Sequence, residues 1–296
     1  MSGAVVAAAS GIGFGVFQTL NIRAVRGMDP FASTFLQIAI AAVALLVASA
    51  VSGGLGDLAG APADSLACFT AAGLLHFVAG WTLLNVSQKR IGAARTSPLL
   101  TTVPLFGIAF AALTVGQLPA AVELPAIALM VLGAYVVVSR GREGAPGVLH
   151  VRPADAAPAL ACAMCWALSP ALTVRGLRGL DDALLGLTLG LVVSTAGYAL
   201  AFAVLRRGLG LRTAGRQALA IKLLAGVLVG LSTWGRWAAL DRTTVAAVLA
   251  LNLLSIPVVL LASPLVAGRH IERVTGRVWA GAALVVSGSL LLIVTA

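Results

Sequence analysis

One layout occurs twice in this chain: WTLLNVSQKRIGAARTSPLLTTVP, residues 81–104, and WGRWAALDRTTVAAVLALNLLSIP, residues 234–257. Each stretch begins with a tryptophan in an apolar segment, passes through a polar, basic turn, and ends on a proline inside the next apolar segment. Pro104 and Pro257 are therefore related by an offset of 153 residues, as are the two tryptophans. An interior proline leaves one helical carbonyl without its donor, which hydrocarbon does not replace. We therefore expect both prolines to point inward, at a shared cavity.

The composition places the chain in a membrane. Of its 296 residues 60% are hydrophobic and 10% are charged, and the mean hydropathy is +1.03, which is outside the range of soluble domains. The net charge of +10 does not indicate a nucleic-acid partner, because the basic residues lie in short turns rather than in one patch. No charged region precedes the first apolar segment, so we expect that segment to be retained rather than cleaved as a signal peptide.

The apolar segments predict an all-α integral membrane protein with ten transmembrane helices. A helix needs about 20 residues to cross the hydrocarbon core, and ten segments of suitable length are bounded by turns or charges. The predicted helices are 2–22, 31–51, 64–88, 93–116, 121–139, 155–174, 183–205, 217–240, 243–267 and 276–295. The most polar connection lies near the middle of the chain. The predicted organisation is a first five-helix repeat at 1–140, a linker at 141–154 and a second five-helix repeat at 155–296.

Further matches support the internal repeat. RAVRGMD at residues 23–29 and RGLRGLD at residues 175–181 agree at four of seven positions. Near the ends of the two halves, Gly133 matches Gly288. Because five helices per half is an odd number, the second half must enter the membrane with the opposite polarity. We therefore predict inverted repeats with a binding site at their interface, near the bilayer midplane.

At this point the chain resembles the drug/metabolite transporter superfamily, and within it the ten-helix exporters of the EamA type. The resemblance covers nearly the whole chain and rests on the duplicated five-helix unit together with a small set of residues. They are Phe14 and Trp166 in the first and sixth helices, Pro104 and Pro257, and the closing run Glu272, Gly281 and Gly288. Two positions depart from the family pattern. In the first half, Gln117 occupies the position that corresponds to Glu272 in the second half. Gln37 lies near the position of a basic residue that is common in the family's second helix.

The resemblance implies a secondary transporter, an exporter, of a small polar or amphipathic metabolite. An amino acid or a derivative of one leads the candidates. It also implies a multi-pass protein of the inner membrane of a bacterium, bound to the lipid bilayer, either monomeric or weakly homo-oligomeric. Two other functions stay open: a non-transporting membrane scaffold or sensor, and a translocator of lipids or drugs on the same fold.

Ionisable residues inside membrane spans are candidates for function because they are costly there. Glu123 and Lys222 lie within about a turn of their helix ends, so we expect them to reach the interface and orient the protein. His76 lies in the middle of the third helix, either satisfied by a neighbouring hydroxyl or carbonyl group or in contact with substrate or a proton. Arg236 lies between two tryptophans, as an interfacial anchor or as a fork of donors for a carboxylate or phosphate.

Tryptophans and uncharged polar residues complete the predicted site. Four of the five tryptophans fall in the third, sixth and eighth helices, where they either wall a small-molecule site or form an interfacial belt. Uncharged polar residues in the helices either contact substrate or join helices. The predicted substrate-binding residues are Gln18, Asn21, Gln37, His76, Trp81, Thr102, Trp166, Ser169, Trp234, Arg236, Trp237, Asn252 and Ser255, and the predicted hinges are Pro104, Pro170 and Pro257.

The sequence argues against an enzyme. It contains no plausible nucleophile with its base, no His-Glu-x-x-His motif and no Gly-rich phosphate loop, so we expect neither a cofactor nor ATP drive by this chain. Cys162 and Cys165 share a helix face, but no His, Asp or Glu in their segment completes a metal site. We interpret them as small packing residues and expect no metal.

The distribution of Lys and Arg predicts the orientation. Of the 20, 16 lie in or next to the loops that follow the first, third, fifth, seventh and ninth predicted helices. The other four lie on the opposite side of the membrane. By the positive-inside rule the side with 16 faces the cytoplasm, which leaves both termini outside. Similar ten-helix transporters usually keep both termini inside, so the charge count and the resemblance differ on this point.

Overall fold

The protein is helical throughout the part of the chain that the structure describes. The structure is a computed structural model and describes residues 2–115, 120–138, 153–206, 208–210, 214–240, 242–268 and 274–295. Those residues contain helices and turns but no strand. Most of the predicted linker, and also Gln117 and Glu272, lie outside them.

Twelve α-helical segments make up most of the described chain. They are α1 (Gly3–Arg26), α2 (Pro30–Val51), α3 (Ala63–Ile91), α4 (Ala93–Leu100), α5 (Val103–Val115), α6 (Leu124–Val138), α7 (Ala157–Leu177), α8 (Ala183–Val204), α9 (Arg216–Leu240), α10 (Val245–Asn252), α11 (Ser255–Val266) and α12 (Gly276–Thr295). Short 3-10 helices lie at Gly54–Gly60, Ala121–Glu123 and Pro153–Ala156. Within the described ranges, eight helical spans are long and apolar enough to cross a membrane, with most of α10 and all of α11 joined in one of them. The predicted all-α, multi-pass class is confirmed.

Local sequence explains where several helices begin. The Asp29 carboxylate accepts hydrogen bonds from the backbone N–H groups of Phe31 and Ala32, at 2.9 and 3.1 Å, and Pro30 occupies the first turn of α2. Asp182 caps α8 in the same way through the N–H of Leu185, at 2.9 Å. Each cap follows a short turn and sets where the next helix begins.

The two matched prolines follow breaks in the helices rather than lying in helix interiors. Between α4 and α5 the chain makes a tight turn at Thr101 and Thr102, and between α10 and α11 it makes one at Leu253 and Leu254. Pro104 and Pro257 thus fall in the first turn of α5 and of α11. A proline is tolerated there because the first N–H groups of a helix have no partner within the helix. This corrects the prediction that each proline lies inside a continuous helix.

Helices from the two halves of the chain interleave. Helix α1 packs along α9 and against α10 and α11, while α7 packs along α3 and against α4 and α5. Helices α6 and α12 form a further close pair, in which a Cβ added at Gly133 would lie 2.8 Å from the carbonyl oxygen of Gly281. Only glycine permits that approach, as expected for small residues between membrane helices. The interior therefore lies between α1, α3, α7 and α9.

Candidate functional site

The centre of α3 is wound as a π-helix from Leu74 to Trp81, and it places His76 in the interior. Such wide turns are rare and occur frequently at functional sites. On the same segment Gly80 leaves room for an indole ring from α7, since a Cβ there would lie 2.3 Å from Nε1 of Trp166. The Trp166 N–H donates to the carbonyl oxygen of His76 at 3.3 Å. The wide turn and the glycine together bring α3 and α7 into contact.

His76 joins Ser169 to Arg236. Its Nε2 lies 2.8 Å from a terminal nitrogen of Arg236, and its Nδ1 lies 3.1 Å from Oγ of Ser169. A guanidinium can only donate, so Nε2 accepts this hydrogen bond and the ring proton is on Nδ1, which donates to the serine. The imidazole is therefore held as one neutral tautomer. It orients Arg236 rather than competing with it.

Aromatic rings surround this polar group. The His76 ring stacks on Trp166 with centroids 5.0 Å apart and planes 12° apart. The guanidinium carbon of Arg236 lies 5.9 Å from the centroid of the same indole, within cation–π range, and Phe14 meets that indole edge-on at 5.6 Å. One indole thus contacts the histidine, the cation and an aromatic wall.

A small cavity lies beside these residues. The volume open to the centres of water molecules is about 50 Å³. Its wall includes predicted site residues from α1, α3, α7, α9, α10 and α11, and both helix breaks reach it. Those residues are Gln18, His76, Trp166, Ser169, Arg236, Trp237, Asn252 and Ser255, together with Pro104 and Pro170.

The remaining predicted site residues lie away from the cavity. Trp81 is buried against Phe77, with ring centroids 4.8 Å apart, and Thr102 donates to the carbonyl oxygen of Leu99 at 2.7 Å. Trp234 is 39% exposed on the outer surface of α9, and Pro257 is exposed on α11. The prediction that Pro257 points inward like Pro104 is therefore wrong. The two repeats do not present this position to the same environment.

Asn21 and Gln37 belong instead to a second polar cluster around Lys222. The Lys222 ammonium donates to Oδ1 of Asn21 at 2.6 Å and to Oε1 of Gln37 at 2.8 Å, and its side chain is fully buried. The expectation that Lys222 reaches the interface is wrong, because these oxygens hold it inside the bundle. Sequence reasoning also missed Asn85 and Gln88, although their spacing of three residues places them on one face of α3.

Arg236 has no negative partner among the described residues. The one ion pair there joins Arg175 to Asp64 at 3.0 Å, and both side chains are more than half exposed. Gln18 adds an unused acceptor, because its Nε2 donates to Ser97 at 3.4 Å while its Oε1 is buried with no partner in the described part of the chain. The cavity therefore offers a positive donor and a neutral acceptor between aromatic walls.

Side chains that suit a metal are scarce in the described part of the chain. No group of three or more His, Cys, Asp or Glu residues is placed to hold an ion there. Cys162 is fully buried and Cys165 is 8% exposed, and both thiols are free. They pack in the hydrophobic core beside Trp166.

The fold and the cavity define a class, an all-helical multi-pass membrane protein with a polar interior site. Residues 1–139 match the EamA-like transporter family, which confirms the predicted resemblance to the drug/metabolite transporters. The match covers 139 of the 296 residues, and the proteins of that family are described as transporters.

Solved structures share the fold. One, titled only as the crystal structure of a protein, superposes with a TM-score of 0.60 over 97% of each chain at 19% identity. At that identity the likeness concerns the fold alone. No curated protein gives a significant sequence match.

Proposed function

We propose that the protein is a secondary transporter of a small metabolite that carries a carboxylate, with an amino acid or a derivative as the leading candidate. The observation that carries this proposal is Arg236. It reaches the cavity as a cation with no negative partner among the described residues, and its orientation is set by His76 and Trp166. Charge without a partner inside a membrane bundle is costly, and substrate recognition is its usual compensation.

The cavity chemistry suits a zwitterion. The guanidinium has five N–H donors, one of which is taken by His76, and a carboxylate binds two parallel donors well. The free oxygen of Gln18 can accept from an ammonium group. Phe14, Trp166 and Trp237 supply apolar walls for a side chain.

Transport requires this cavity to open, because about 50 Å³ holds a few waters but not an amino acid. The turns between α4 and α5 and between α10 and α11 are natural points of bending, and both border the cavity. Discontinuous helices at the midplane are typical of carriers that rock one helix group against another. This arrangement supports the proposal of alternating access without ATP.

The proposal includes ten helices arranged as two inverted repeats, 1–140 and 155–296. Its support is the matched pair of helix breaks and the reciprocal packing, with α1 on α9 and α7 on α3. A pseudo-two-fold axis in the membrane plane should superpose Pro104 on Pro257. Superposition only by rotation about the membrane normal would contradict it.

The proposed location is the inner membrane of a bacterium with both termini outside. Two of the residues in the charge count, Lys222 and Arg236, lie inside α9, beyond its first and last turns. Without these two residues, 15 Lys and Arg residues remain on the predicted cytoplasmic side and three on the other, so the positive-inside rule still predicts the same orientation.

Counterflow in proteoliposomes tests the proposed function. Vesicles with purified protein would be preloaded with unlabelled L-phenylalanine, L-leucine, L-glutamate or phenylpyruvate and given the labelled compound outside. We expect exchange of at least one compound, and its loss in Trp166→Ala and His76→Ala, with Trp279→Ala on the exposed face of α12 as the matched control. No exchange across the panel would favour a scaffold or sensor. Exchange of a fluorescent lipid or a cationic dye alone would favour a lipid or drug translocator.

A further inference from the structure

A second buried cation, Lys222, lies in the bundle among neutral amides. Lys222 donates to Asn21 and Gln37, and Asn21 donates in turn to Oδ1 of Asn85 at 2.8 Å and to Oε1 of Gln88 at 2.7 Å. All five side chains have no exposed surface. We call this set the lysine cluster. It draws its members from α1, α2, α3 and α9.

No ionised group compensates Lys222 within the described part of the chain. The Asp29 carboxylate caps α2, Lys89 donates to the carbonyl oxygen of Met28, and the Tyr198 hydroxyl pairs with Thr82. None of the ionisable residues on the surrounding elements hydrogen-bonds to Lys222. They are Arg23 and Arg26 on α1, Asp29 before α2, Asp64, Cys68, His76, Lys89 and Arg90 on α3, Tyr198 on α8, and Arg216 and Arg236 on α9 itself. Among the described residues, the charge is therefore stabilised by amide dipoles.

Amide partners suit a lysine that changes its protonation state. A carboxylate would stabilise only the ammonium, whereas an amide has an oxygen for the ammonium and an NH₂ group for a neutral amine. Oε1 of Gln37 accepts from Lys222 and, at 3.3 Å, from Nδ2 of Asn85, while its Nε2 is buried with no partner among the described residues. Nε2 of Gln88 is likewise buried with no hydrogen-bond partner among the described residues. Rotation of the Gln37 amide would turn its unused donor toward the lone pair of an uncharged Lys222.

The cluster also lies where the two halves must separate. Asn21 follows the cavity residue Gln18 by three positions on α1, a rise of about 4.5 Å. Lys222 shares α9 with Arg236, about four turns away. The two hydrogen bonds of Lys222 tie α9 of the second half to α1 and α2 of the first. Opening of this end of the bundle would break them and admit water to Nζ.

We propose that Lys222 is a proton-binding site through which substrate movement is coupled to a proton gradient. The inference rests on the proposed transport function. When this end opens, water reaches Nζ and favours the ammonium, so the amine takes one proton from hydronium at this face. When this end is closed and the cavity is open to the other side, the loss of water favours the amine, so Nζ gives that proton to water in the cavity and keeps the electron pair, which accepts from an amide N–H. One proton is thus taken up at one face and released at the other in each cycle.

A measurement without substrate tests the site directly. The chain has two lysines, Lys89 and Lys222, so labelling lysine side-chain nitrogen with ¹⁵N in a Lys89→Arg background reports on Lys222 alone. A free lysine stays an ammonium to about pH 10, so we titrate the protein in lipid from about pH 5 to about pH 9. We expect the Nζ resonance to change from the ammonium to the amine form in that range. An ammonium resonance throughout would overturn the proposal.

Transport variants test the coupling. Arginine keeps its charge and methionine has none, so Lys222→Arg and Lys222→Met each fix one state. With labelled L-phenylalanine as the probe, we expect the ratio of pH-driven accumulation to counterflow to fall roughly tenfold or more in both, and to be unchanged in Lys89→Arg. Equal ratios in all forms would overturn the proton site. Absence of counterflow in the natural protein would instead count against phenylalanine as substrate, and the resonance would still decide the site. Size-exclusion profiles verify folding.

Discussion

Replacement of Arg236 by glutamine should remove the preference of the site for a carboxylate. Arg236 gives one N–H to His76 at 2.8 Å and keeps four donors, of which a carboxylate would use two. Glutamine can supply one neutral donor in their place. Hydrogen bonds to charged groups contribute about 1.5–3 kcal/mol, and each 1.4 kcal/mol changes Kd tenfold, so binding should weaken by about 10- to 100-fold.

The assay compares two ligands on two proteins. Binding of L-phenylalanine and of L-phenylalaninamide, which lacks the carboxylate, would be measured in detergent by the concentration dependence of the thermal shift. The natural protein should prefer phenylalanine, while Arg236→Gln should bind both alike. Arg236→Lys, which keeps a point charge without the fork, should fall between them. A variant that still prefers the carboxylate, or one that loses both ligands equally, would refute the role of Arg236 as the carboxylate site.

Three further outcomes are expected. Gly80→Ala should lower the free energy of unfolding by about 1–3 kcal/mol and reduce counterflow, because its Cβ would meet the Trp166 indole at 2.3 Å. The control in thermal melts is Gly197→Ala, whose Cβ would lie 3.7 Å from its nearest neighbour. Equal melting temperatures of the two variants would contradict the close contact at Gly80. Gly288→Val should separate α6 from α12, because even a Cβ at this position would lie 2.8 Å from the Ala126 carbonyl oxygen. A melting temperature equal to that of the natural protein would count against this packing. A C-terminal alkaline phosphatase fusion should be active and a green fluorescent protein fusion dark, whereas the reverse pattern would place the C-terminus in the cytoplasm.

Local sequence was enough to predict most of the helices. Continuous apolar runs bounded by Asp29, Gly92 or Asp182 predict where helices begin and end, because caps and turns involve only near neighbours. The matched prolines were predicted as hinges inside continuous helices, whereas the structure has a helix break just before each of them. A proline marks an interruption, whereas the tight turn that precedes it depends on how the two helix segments pack.

The site required contacts that are distant in sequence. His76, Trp166 and Arg236 could each be named from the sequence as unusual residues in apolar segments, but Arg236 and His76 are 160 positions apart. Their hydrogen bond, and the tautomer that follows from it, come from the packing of α3 against α7 and α9. The π-helical turn at Leu74–Trp81 left no signal that we used in the sequence.

The sequence by itself determined the membrane class, the helices and the short set of candidate polar residues, while the tertiary structure decided which of them point inward. Trp237 is buried at the cavity and Trp234, three residues earlier on α9, is 39% exposed. Lys222 is held inside the bundle by oxygens on α1 and α2, although its place near a helix end predicted the interface. The physical reason is that lipid and protein interior are both apolar, so hydrophobicity does not distinguish the two faces of a membrane helix. Only packing against other helices decides the rotation of each one.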